Sequence, residues 1–138
     1  MPLRWKKKLS RSDAQVKTPI GWPVPYIRLT RSKHSQDTQV WFRNTFFAGV
    51  TWNPGHFGVH AIEEAHPTFD ITLPGHMTQS RQLMVSHDGS RGQTGKSTPN
   101  TWIHWDTATL NELQANSYDG RIITLERSDS GTFSLIIT

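Results

Sequence analysis

The apolar residues of this chain fall in short runs that mix aromatic with β-branched side chains. Seven stand out: Tyr26–Thr30 (YIRLT), Thr38–Phe42 (TQVWF), Phe69–Leu73 (FDITL), Arg81–His87 (RQLMVSH), Thr101–Trp105 (TWIHW), Gly120–Arg127 (GRIITLER) and Thr132–Thr138 (TFSLIIT). Runs of this length and make-up predict β-strands. LPGH, SHDGS, SYDG and SDSG separate them with the Gly and Asp that tight turns need. Helical spacing is scarcer. Thr107–Ser117 predicts one helix, capped by Asp106 or Thr107, with Leu110 and Leu113 on its apolar face and Asn116 or Gly120 ending it. A second short helix fits Arg43–Val50, limited by Gly49 and Pro54. The pattern predicts a mainly β domain, a barrel or sandwich of mixed topology with one or two short helices. A doubly wound nucleotide fold needs alternating helices, and they are missing.

Neither a repeat nor a long low-complexity linker interrupts the chain, so residues 1–138 read as a single domain. Six Trp and six Phe can supply its core although only 34% of residues are hydrophobic. Trp102 and Trp105 are three apart and so face opposite sides of a strand, whereas Trp41 and Trp52 read as core. The absence of cysteine excludes disulfides and thiolate–metal sites and fits a reducing cytoplasm. The N-terminus, MPLRWKKKLSRS, lacks the apolar run of a signal peptide. No window approaches the roughly 20 apolar residues of a membrane span, so no membrane partner is expected. A formal charge of +4 fits an anionic partner, most commonly nucleic acid, or simply a soluble basic protein.

Within SHDGSRGQTGKSTPNTWIHW, the stretch GQTGKST resembles a phosphate loop. That loop needs Gly, four residues, then Gly-Lys-Ser/Thr, between a strand and a helix. Gly95-Lys96-Ser97 is present, but the first Gly falls on Ser90, and Pro99 leads into a strand. A nucleotide site is rejected on both counts. What remains is a long loop, residues 87–102, carrying Arg91, Gln93, Lys96, Ser97 and Asn100, donors suited to base edges and phosphates. An ordinary solvated hairpin is the plain alternative. A second such stretch is KKKLSRSDAQVKT, Lys6 to Thr18. Its three lysines could be a solubilising tail, but Arg11, Ser12, Asp13 and Gln15 mix base-edge readers with charge. Asp13 could accept from a cytosine amino group, or orient Arg11 or Lys17.

Rival chemistry is weaker. His56, His60, Glu63 and Glu64 have zinc-like spacing only on a helix, which Pro54, Gly55 and Gly58 oppose. Glu64, Asp70 and Asp88 could be the carboxylates of a magnesium nuclease, but their spacing is not compact. Aromatic residues stacking single-stranded bases on a barrel form a third alternative. No cofactor is expected.

KLSRSDAQ, QVWFRNTFF, EEAHPTFDITL and SRQLMVSHDGSRGQTGKSTPNTWIHW, in that order, resemble one known family. It is the B3-like DNA-binding pseudobarrel of bacterial restriction endonucleases, nearest the C-terminal recognition domains of the BfiI and NgoFVII type and more distantly the EcoRII N-terminal domain. The resemblance runs from about Lys8 to the C-terminus. It implies a seven-stranded open pseudobarrel whose two arms enter the major groove of double-stranded DNA and read a short sequence. The implied N-terminal arm lies within residues 1–18, with Lys8, Ser10, Arg11, Ser12, Asp13, Gln15 and Lys17 as contacts. The implied C-terminal arm is residues 87–102, with Arg91, Gln93, Lys96, Ser97, Asn100 and Trp102. Arg43 and Asn44 would sit near the DNA backbone. On the charge reading, Lys6 and Lys7 would neutralise phosphates. The resemblance also implies a monomeric bacterial cytoplasmic module without a catalytic centre of its own, fused to or associated with a nuclease domain. Which base each residue reads does not transfer, because targets differ among members.

Overall fold

A computed structural model describes residues 2–30, 38–90 and 99–138. The described residues are mainly β, in two open sheets of five strands each. The first sheet has the order β1 (Leu3–Lys8), β9 (Ile122–Arg127), β10 (Phe133–Ile137), β5 (Thr68–Thr72), β6 (Gln79–Gln82). Its neighbours are antiparallel except β10 and β5, which run parallel. The second sheet is antiparallel throughout, in the order β2 (Tyr26–Arg28), β8 (Thr101–His104), β7 (Met84–His87), β4 (His60–Ala65), β3 (Asn53–Phe57).

Six of the seven expected runs form strands. Arg81–His87 is divided: at Leu83, whose amide donates to the Pro67 carbonyl at 3.1 Å, the chain leaves the first sheet and enters the second. Thr38–Phe42 is a correction. Thr38–Trp41 forms a short helix, α1, and Phe42–Phe46 continues it as a π-helical turn. The physical reason is the spacing of the buried positions: Thr38, Phe42 and Phe46 recur every four residues on one helical face. The wider turn, closed by the Phe47 amide on the Phe42 carbonyl at 2.9 Å, then turns Phe46 and the adjacent Phe47 into the core together.

Three strands were not expected. β1 takes in most of the basic N-terminus, because Trp5 is fully buried and alternation points Arg4, Lys6 and Lys8 the other way. β3 and β4 form a hairpin across Gly58-Val59, with Gly58 at φ +62, the arrangement of a two-residue turn with Gly first. Pro54 is tolerated because β3 is an edge strand. The helix α2 (Thr107–Ala115) forms as expected, with the Asp106 carboxylate accepting from the Thr109 amide at 3.0 Å. Leu113 is buried and Leu110 packs beside it.

One apolar cluster joins the two sheets and the helices. It draws Trp5, Leu125, Leu135 and Phe69 from the first sheet and Ile27, Val85 and Ile103 from the second, with Phe42, Phe46, Phe47 and Leu113. Trp105 lies in this cluster and Trp102 on the other face of the second sheet, as their spacing predicts. Among the described residues no helix is long and apolar enough to cross a membrane.

Candidate nucleic-acid interface

The segment from Leu9 to Pro25, between β1 and β2, is irregular but closely tied. Leu9 is buried and exchanges backbone bonds with the 120–121 turn, its amide to Arg121 and its carbonyl from Gly120, both at 2.8 Å. Ser10 and Asp13 cap each other: the Asp13 amide donates to Ser10 Oγ at 3.0 Å and the Ser10 amide to Asp13 Oδ2 at 3.3 Å. The same carboxylate meets Lys7 Nζ at 2.9 Å, with side-chain exposures of only 16% for Lys7 and 10% for Asp13. Lys7 also donates to the Arg28 carbonyl at 3.3 Å. Gln15 is completely buried with a left-handed backbone, φ +61. Its amide nitrogen donates to the carbonyls of Val24 at 2.7 Å and Ser12 at 3.3 Å, so the side chain ties the two ends of the segment together.

These ties divide the expected contacts. Asp13 is occupied by Ser10 and by Lys7 of β1, and the amide nitrogen of Gln15 by the Ser12 and Val24 carbonyls. Lys8, Ser10, Arg11, Ser12 and Lys17 are exposed. Arg11 keeps 67% of its side chain in solvent, with Asp119 3.8 Å away. Lys17 Nζ lies 5.5 Å from the ring centroid of Trp22. The surface on offer is therefore cationic and hydroxyl-bearing, held on a framework of buried polar ties.

The second expected arm is described only at its root, because Arg91, Gln93, Lys96 and Ser97 lie outside the described residues. At the root, the Asp88 amide donates to the Asn100 carbonyl at 2.8 Å. Asn100 is buried, and its Nδ2 donates to the Gln39 carbonyl at 3.1 Å. The Asp88 carboxylate accepts from the Ser90 amide and hydroxyl at 3.0 and 2.6 Å, a turn-forming use of Asp. His87 shares a hydrogen bond of 2.9 Å with Thr101 Oγ1, and burial pushes its pKa below the usual histidine value. Arg43 forms a two-pronged ion pair with Glu63, at 3.0 and 2.9 Å, and lies 4.5 Å over the ring of Trp52. That hydrogen-bonded guanidinium holds the Glu63 carboxyl below its ordinary pKa. Asn44 is exposed.

Trp102 is 6% exposed, enclosed by Phe57, stacked at 6.1 Å and 7°, and by Tyr26, edge-on at 6.4 Å. His104 completes this outer-face cluster and bonds Ser86 Oγ at 2.7 Å; burial lowers its pKa too. Arg28 lies 5.6 Å over Tyr26.

Rival constellations are dispersed. His56 and His60 lie on facing strands of one hairpin. Glu64 lies in the second sheet, its carboxyl group where a Cβ on Gly55 would be; Asp70 lies in the first sheet, accepting from Ser80 at 2.7 Å. Among the described residues no three His, Cys, Asp or Glu are grouped to hold a metal.

Two surface features escaped the sequence reading, Arg28 beside Tyr26 and the exposed apolar turn around Ile20. An apolar residue between Pro19 and Gly21 was the available signal, since turn centres ordinarily carry polar residues. Comparison with protein-family models, curated proteins and solved structures gave no match.

Proposed function

We propose that the chain is a sequence-specific double-stranded DNA recognition module, acting for a restriction endonuclease whose nuclease centre lies in another domain. The supporting observation is the 9–25 segment. Buried ties through Asp13, Gln15 and Lys7 hold Lys8, Ser10, Arg11, Ser12 and Lys17 outward on one ordered stretch. Holding a cluster of cations and hydroxyls in place lowers the ordering cost of binding. In this reading Arg11 reads a guanine edge, and Lys8 and Lys17 neutralise phosphates. Arg91, Gln93, Lys96 and Ser97 supply the second arm, anchored by Asn100 and Asp88. Arg43 acts from its ion pair as a support, with Asn44 at the backbone. The two open sheets are read as an elaborated seven-stranded open pseudobarrel. The module works in the bacterial cytoplasm as a monomer without cofactor.

Selection of bound duplexes from a random pool tests the proposal, with enrichment of one short site as the expected result. Competition with single-stranded oligonucleotides separates it from a stacking barrel, which would prefer the single strand. Intact supercoiled plasmid after incubation with magnesium separates it from a nuclease built on Glu64, Asp70 or Asp88.

A further inference from the structure

The 9–25 segment ends in a feature that its cations do not explain. Thr18 and Gly21 exchange backbone hydrogen bonds of 2.9 and 3.0 Å, and Thr18 Oγ1 donates to the Gly21 carbonyl at 3.1 Å. Pro19 and Ile20 are left as the tip, with the proline ring fixing its own φ. Ile20 is 99% exposed, and the alternate residues Trp22 and Val24 are 51% and 43% exposed. Ile20 thus stands at the tip of the turn, and Trp22 and Val24 follow it on a stretch held by the bond from Gln15 to Val24. A single exposed isoleucine would need no explanation, but one at the tip of a hydrogen-bonded turn, followed by half-exposed Trp22 and Val24 with Lys17 over the Trp22 ring, does.

We infer that Ile20 is a methyl reader: the 18–21 tip enters the major groove and packs Ile20 against the 5-methyl group of a pyrimidine, thymine or 5-methylcytosine. The inference rests on the duplex reading proposed above. The major groove carries one kind of apolar group, that methyl, and it is read by apolar contact. The paired backbone at Thr18 and Gly21 leaves the tip little polar capacity for phosphate, whereas its side chain is β-branched and stiff at χ1, with little entropy to lose. Lys17, Arg11 and Lys8 supply the attraction to the duplex alongside. A lipid surface fits less well, because one isoleucine and half-exposed neighbours give a small apolar payload beside exposed hydroxyls.

The test uses the whole chain and its selected site. Each thymine is replaced in turn by deoxyuridine, each cytosine by 5-methylcytosine, and affinity is measured for the unaltered chain and for Ile20→Ala. At one position, loss of the methyl should weaken the unaltered chain about fourfold, the weight of one buried methylene, and leave Ile20→Ala unaffected. A loss with deoxyuridine identifies thymine, and a gain with 5-methylcytosine identifies the modified base. No methyl-sensitive position, or the same sensitivity in Ile20→Ala, would overturn the inference while leaving specific duplex binding intact. Binding to anionic vesicles that Ile20→Ala abolishes, with no change on duplex, would also overturn it. A chain with no preference among duplexes sinks the functional proposal and this inference together.

Discussion

The segment before β2 and the loop root between β7 and β8 carry similar polar residues and spend them differently. At the root, Asn100, Asp88, His87 and Thr101 bond to one another, to Ser90 or to the Gln39 carbonyl. In the 9–25 segment, Asp13 and Gln15 turn inward while Arg11, Ser12 and Lys17 face water. The difference teaches that residue type does not separate a reader from a tie. Gln15 has the side chain of an adenine reader, yet it closes a loop.

The largest expected effect comes from the buried pair. Asp13→Ala should cost about 3–5 kcal/mol of stability, because it leaves the Lys7 ammonium largely out of water without its carboxylate. Urea unfolding measures this; a loss below about 1 kcal/mol would place the pair with ordinary surface bridges. Next, Gln15→Ala and Asn100→Ala should each cost about 0.5–1.5 kcal/mol by removing the hydrogen bonds that these buried side chains donate to the Val24 and Gln39 carbonyls. Gln15→Ala should in addition loosen the segment and weaken duplex binding, so the two substitutions compare a tie in each region.

A smaller effect is expected from pH. The folded-state pKa values of His87 and His104 are both lowered, mainly by burial, so the unfolded chain takes up protons first as pH falls. Stability is then complete above the ordinary histidine range, near about pH 6.5, and declines as pH drops through it toward the folded values. His87→Gln should flatten that decline, whereas a slope unchanged in both single histidine variants would contradict the assignment. Smallest of all in stability, Arg11→Ala should stay within about 0.5 kcal/mol, as for an exposed surface residue.

Much of the fold was legible. Short aromatic and β-branched runs marked the strands they became, and Asp106 marked its helix. Two of the three missed strands share a cause. β1 is lysine-rich and β3 contains Pro54 and Gly55; both are edge strands, which accept residues that central strands reject. Thr38–Phe42 has strand composition, and only the four-residue recurrence of buried positions reveals the helix. The candidate site was legible as a location and much less so as a set of roles. Burial of Asp13, Gln15, Asn100 and Trp102 depends on partners distant in sequence, Lys7 and Val24, Gln39, and Phe57 with Tyr26. No local pattern encodes those meetings.

The most direct test compares the unaltered chain with Arg11→Ala on the selected duplex and on a scrambled one at fixed salt. The account predicts an unchanged melting temperature and a site preference reduced by about 1–3 kcal/mol, the weight of one two-pronged base contact. An undiminished preference would contradict the claim that the exposed residues of the 9–25 segment read the sequence.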